Sequence, residues 1–230
     1  MSPAEIRHTF LNFESVGDNA AMKIGILGGT GRMGSRLARG YLQAGHEIIL
    51  GSRSPKKADQ VATEMGDGVR GGSLQQSAEE GEMIVLAVGF RDAAGTVRAV
   101  RDALSGKIIV DITNPFNAIP PGRTSGIEEN GKSAPEARWV AAYKTTFWKT
   151  LEPSAHTGRT KRDVLVCSDD QGARRAVMQL IEETGFRALD CGRLENARTL
   201  DLMVPLMIEL DQRHSGDALS SWKFIDAGPV

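Results

Sequence analysis

Six consecutive residues, Gly29-Thr30-Gly31-Arg32-Met33-Gly34, have the spacing G-x-G-x-x-G. The context strengthens the match: the apolar strand Lys23–Leu27 runs into it, and a helix opens out of it. That arrangement suits the pyrophosphate of a dinucleotide. Gly29 would allow the tight turn, Gly31 the approach of phosphate to the backbone, and Gly34 a close helix–strand contact. The helix N-terminus adds N–H groups without intrahelical partners and the positive end of its dipole. Thr30 and Arg32 stand ready to add contacts from the same turn.

About twenty residues beyond such a turn an Asp or Glu normally binds the ribose 2′-OH of NAD. This chain has Ser52-Arg53-Ser54 there instead. A hydroxyl donor and a guanidinium fork suit a 2′-phosphate. Lys57 falls in the first turn of the next helix, where its charge opposes the helix dipole, and a bound phosphate would relieve that conflict. The plain alternative makes Arg53 and Lys57 solvated surface charges. Taken together, these residues favour NADP(H) over NAD.

A reductase acting on a carbonyl or imine would also want a proton donor near its substrate. Tyr143 and Lys144, followed by Thr145 and Thr146, are the candidates. Without such a role, Tyr143 reads as a core residue and Lys144 as an exposed lysine. His8, His46, His156 and His214 show no metal-ligand spacing, so no metal site is expected. Cys167 and Cys191 form no Cys-x-x-Cys and read as buried strand residues. Asp169-Asp170 reads as the cap of the helix that follows.

The elements that must carry these groups alternate strand and helix. Met33, Leu37 and Tyr41 mark a helix over 32–44, closed by Gly45. Glu47–Leu50 is the second strand. Ser54 and Pro55 open a helix in which Ala58, Val61, Ala62 and Met65 share one face, and Gly66 stops it. After a weak strand near Val69, the runs "MIVLAV" (83–88) and "KIIVDI" (107–112) read as central parallel strands with a helix over 91–104 between them. Residues 113–137 hold Pro115, Pro120, Pro121, Gly122, Gly126 and Gly131, and read as a long loop. Further strands are expected at Trp139–Tyr143, Asp163–Cys167 and Arg187–Leu189, with helices at 170–184 and 195–213. The pattern is α/β: a Rossmann-type, doubly wound, mainly parallel sheet with extra C-terminal strands and helices. Residues 22–230 are read as one domain and 1–21 as a flexible N-terminal extension.

The whole chain sets outer bounds on function. Its 230 residues carry a net charge of −1 with no basic stripe, which argues against a nucleic-acid surface. No apolar run is long enough to span a bilayer. The first residues lack a basic segment followed by an apolar one, so no secretory signal is read there. Together with the cysteine usage, this gives a cytoplasmic expectation.

The segment "KIGILGGTGRMGSRLARGYLQAGHEIILGSRSPKKA" resembles the NADP-binding half of the NADPH-dependent reductases of coenzyme F-420 (F420), a 5-deazaflavin. "LAVGF" (86–90), "VDITNPF" (110–116) and the long stretch 164–210 resemble later parts of the same family. The resemblance implies a compact enzyme, usually a homodimer, that passes hydride between NADP(H) and the deazaflavin. It places the nicotinamide near Val88, Gly89 and Phe90 and near Asn114, Pro115 and Phe116, with the deazaflavin stacked on it. The family usually has a His or Asn in the segment matching 140–147, where this chain has Lys144. Two other readings stay open. One is an NADPH-dependent reductase of a small imine or ketone, with Lys144 and Tyr143 taking part and 117–137 as a lid. The other is a non-catalytic NADP-binding regulator with a blocked nicotinamide pocket.

Overall fold

The computed structural model describes residues 21–151 and 161–225. The N-terminal extension expected over 1–21, and with it His8, lies outside the described residues apart from Ala21, as does His156. Six strands form one parallel sheet: β1 (Lys23–Leu27), β2 (Glu47–Ser52), β3 (Val69–Ser73), β4 (Met83–Leu86), β5 (Ile108–Asp111) and β6 (Arg138–Ala141). Their spatial order is β3-β2-β1-β4-β5-β6. The order reverses between β1 and β4, which opens a crevice at the carboxyl ends of these strands.

The strands are apolar because both faces are covered. Ile24, Ile26, Met83 and Val85 face one layer, built from helices α1 (Arg32–Gln43), α2 (Pro55–Met65) and α6 (Gln171–Glu183). Leu27, Ile84, Leu86 and Ile109 face the other, which includes α4 (Phe90–Ala99) and α7 (Ala197–His214). The expected helix over 91–104 is α4 followed by a separate 3-10 turn, Arg101–Leu104. Ser54 precedes α2, but its side chain makes no capping bond, whereas Asp170 does cap α6 by accepting from Ala173 N at 2.8 Å.

Two short helices were not anticipated, α3 (Leu74–Glu80) and α5 (Gly126–Gly131). Each opens with a capping box, Ser73 with Gln76 and Ser125 with Glu128. That S-x-x-E/Q signature was present in the sequence and would have found them. The segment 113–137 is therefore not a structureless loop. Gly126 N donates to Asp201 of α7 at 2.7 Å, and Arg198 of α7 grips Glu128, so the part of the segment around α5 is fixed. The last strands, β7 (Asp163–Val166) and β8 (Arg187–Asp190), form a separate parallel pair. A bridge between Ala141 and Cys167 joins it to β6.

Candidate active site

The glycine turn links β1 to α1. Its left-handed residue is Gly28, with φ +91°, one position before the first glycine of the motif. A Cβ on Gly28 would also lie 2.7 Å from the Ala87 carbonyl oxygen, at the end of β4. Gly34 behaves as expected, since a Cβ there would stand 2.6 Å from the Gly28 oxygen. Gly31 precedes α1 without any side-chain cap, and the first turn of α1 holds no acid. Its leading N–H groups are thus available to an anion.

Two adjoining spaces lie along the carboxyl ends of the strands. A groove of about 230 Å³ is lined by Gly28, Thr30, Gly31, Ser52, Arg53 and Thr96, with Leu74 at the start of α3. It shares Ala87, Val88, Gly89 and Asp92 with a larger cleft of about 700 Å³. That cleft is closed by Met33, Phe90, Ile112, Thr113, Asn114, Pro115 and Phe116. The residues expected around a nicotinamide, Val88, Gly89, Phe90, Asn114 and Pro115, are therefore brought together at one site. Asp92, Thr96 and Leu74 also line these spaces and carried no motif that would have named them, whereas Thr113 lies within the stretch 110–116.

At the groove's outer end Arg53 is exposed, with no ion-pair partner among the described residues. Ser52 Oγ accepts from Ser54 N at 3.1 Å, which holds the bend after β2. Lys57 is exposed on the first turn of α2 and is not part of the groove wall. Arg32 also stands outside the wall. Its guanidinium lies 5.8 Å from the Trp148 ring centre, and that of Arg36 lies 4.3 Å from it. No carboxylate replaces Arg53 at the end of β2. The donor set fits a dinucleotide carrying a 2′-phosphate.

Neither Tyr143 nor Lys144 is placed as a proton donor: Tyr143 keeps to its core reading, and Lys144 fits neither of its readings. Tyr143 has φ +54° and turns its ring into the core, edge-on to Phe186. Its hydroxyl lies 3.4 Å from that of Tyr41, and burial pushes its pKa up to about 12. It is a core residue and does not line the cleft. Lys144 is only 1% exposed, so it is not a surface lysine either. Its Nζ donates to the Thr113 carbonyl at 2.6 Å and stands 2.9 Å from Asp201 Oδ1. Asn114 Nδ2 donates to the Lys144 carbonyl at 3.0 Å. Beneath them the buried Asp111 accepts from Thr113 N and from Asn130 Nδ2. Lys144 thus pins the loop after β5 from behind. Burial pushes the Asp201 carboxyl above the usual carboxylate range, and Lys144 offsets this in part. The signal for Asp201 was its place on the buried stripe of α7, between Leu200 and Val204.

Among the described residues, no cluster of His, Cys, Asp or Glu is arranged to hold a metal ion, and no helix is long and apolar enough to cross a membrane. A six-stranded parallel sheet, a glycine turn at its switch point and an end to β2 that carries Ser52 and Arg53 in place of an acid define a Rossmann-type NADP oxidoreductase. The family model described as NADP oxidoreductase coenzyme F420-dependent matches residues 23–115. The chain is 33% identical over 207 residues to the F420-dependent NADP reductase of Methanothermobacter marburgensis, covering 83% of this chain and 92% of that protein. It is 30% identical to the protein of the same name from Methanocaldococcus jannaschii, covering 84% of this chain and 94% of that one. A solved structure from Arthrobacter sp. FB24, provisionally named an F420-dependent NADP reductase, superposes with a TM-score of 0.81 at 26% identity, covering 90% of this chain and 100% of the other. The chain belongs to the F420-dependent NADP reductase family.

Proposed function

We propose that this chain passes hydride between NADP(H) and coenzyme F420. One observation carries the reading: a groove ending in Ser52 and Arg53 opens directly into a cleft of about 700 Å³ that holds no buried proton donor. In this reading Thr30, Gly31 and the first turn of α1 hold the pyrophosphate, and Ser52 and Arg53, with Lys57 nearby, hold the 2′-phosphate. Val88, Gly89, Phe90, Asn114 and Pro115 enclose the nicotinamide end beside Met33. NADPH bound there supplies a hydride. Moving it to a second flat carrier needs stacking and exclusion of water, with no protein acid in the step. The only carboxylate among the described lining residues is the exposed Asp92. Phe116, 53% exposed with φ +49°, presents its ring at the mouth where the second carrier would enter.

The imine or ketone reading loses its two candidate donors, since Tyr143 and Lys144 are buried away from the cleft. The regulator reading needed a blocked pocket, and the cleft is open. The test is a steady-state assay of NADPH with oxidised F420, followed by loss of the deazaflavin's visible absorbance. The expected result is turnover. Tight NADPH binding with no turnover would overturn the assignment.

The remaining parts of the reading are coarser. Residues 22–230 act as one domain, the partners are small molecules and not nucleic acid, and the location is the cytoplasm. The protein works as a homodimer. Leu202, Leu206 and Leu210 support this, forming an exposed apolar stripe on α7, 50%, 49% and 37% exposed.

A further inference from the structure

Cys167 and Cys191 are far apart in sequence and adjacent in space. The register of β7 with β8 pairs Val166 with Asp190. The next residue of each strand is a cysteine, and Cys191 N donates to Val166 O at 2.8 Å. Neighbouring strands lie about 4.8 Å apart, inside the Cα separation of about 4.4–6.8 Å that a disulfide spans. The two thiols are neighbours, each shifting the other's titration. Their surroundings differ. Cys167 is fully buried and tied by both its backbone groups to Ala141, while Cys191 is partly exposed. The contact with Cys167 holds the Cys191 thiol down at about 7, and the same contact with burial pushes Cys167 up. One thiol is accessible and poised as thiolate, and the other waits behind it. A peroxide-sensitive cysteine with its resolving partner has this arrangement.

We propose that Cys191 and Cys167 are a modification site at which a hydroperoxide closes an intramolecular disulfide. The Cys191 thiolate attacks a peroxide oxygen, the O–O bond breaks, and hydroxide leaves to become water. Cys191 becomes a sulfenic acid. The Cys167 sulfur then attacks the Cys191 sulfur, the S–S bond forms, the S–O bond breaks, and a second water leaves with the Cys167 proton. Two thiols are oxidised by two electrons and hydrogen peroxide is reduced to two waters. The bond lies under the first turn of α7, where Ala197 and Leu200 pack in the same apolar cluster and Asn196 Nδ2 donates to the Cys191 carbonyl at 2.6 Å. It lies outside the residues assigned to the cleft, so the proposal stands or falls independently of the hydride acceptor.

The test uses the reduced full-length protein. It is treated with a small excess of hydrogen peroxide, denatured, alkylated and weighed intact. The expected product is a monomer lighter by two hydrogens, with neither cysteine alkylated and both recovered by dithiothreitol. In Cys167→Ser, dimedone should label Cys191, and in Cys191→Ser, Cys167 should stay unlabelled under the same treatment. Two alkylatable thiols remaining after treatment, or a disulfide between chains instead of within one, would overturn the proposal. So would equal labelling of the two variants. The wild-type mass alone decides if a variant does not fold.

Discussion

Arg53 follows β2 with its guanidinium exposed and no ion-pair partner among the described residues, at the outer end of a groove that begins at Gly28. A charge-assisted contact of this kind contributes about 1.5–3 kcal/mol. Arg53→Asp should therefore weaken NADPH binding by roughly 10- to 100-fold while changing NADH binding far less, as read by fluorescence titration of both. Equal losses would remove the 2′-phosphate assignment. The place of Ser52 and Arg53 in the groove wall was legible in the sequence, because it depends on distance along the chain from a strand–turn–helix unit that is locally encoded. Of Tyr143 and Lys144, the core reading of Tyr143 holds, and the burial of Lys144 was not legible. The backbone at Tyr143 takes φ +54°, which sends the ring inward and leads Lys144 under the loop after β5. No side-chain pattern announces such a turn, and the residue is not a glycine. Three glycines in this stretch match the motif by spacing, and only the fold shows that the left-handed residue is Gly28, just before them.

At the level of elements, Lys144 and Asp201 form a buried joint among the loops after β5 and β6, the start of α5 and the body of α7. Breaking a buried pair by removing one partner costs about 3–5 kcal/mol, because the other charge is left unpaired. Lys144→Met should lower stability by that order in denaturant unfolding. The double change Lys144→Met with Asp201→Leu should recover a large part of it. A double variant as unstable as the single one would show that the joint is not the source of the loss. The strands and long helices around this joint were legible from apolar runs and helical stripes. The short helices α3 and α5 were hidden by their length, and only their capping boxes marked them. The separation of β7–β8 from the main sheet had no local signal, because pairing partners are chosen by tertiary packing.

Across the whole molecule, the C-terminal segment is fastened by Asp163, which accepts from Arg187, Lys223 and Phe224 N. Burial pushes the Asp163 carboxyl up, but these hydrogen bonds outweigh it and hold it below the usual carboxylate range. A carboxyl with a lowered folded-state pKa stabilises the fold above its unfolded pKa of about 3.9, and that contribution is lost as pH falls through the folded value. Asp163→Asn should therefore flatten the acid limb of the stability profile below about pH 4; an unchanged slope in acid titrations of the melting temperature would contradict it. The exposed stripe on α7 is the face proposed for the homodimer. Leu206→Glu should shift the protein from dimer to monomer in light scattering, and a monomeric wild type would end the dimer reading. The central claim is direct hydride transfer between two bound carriers with no protein acid in the step. It is tested most directly with NADPH deuterated on one or the other face of the nicotinamide carbon 4 and oxidised F420 in ordinary water. The account predicts that the label from one face alone appears, undiluted, on the reduced deazaflavin. Loss of the label to water from both faces, or no transfer from either, would contradict it.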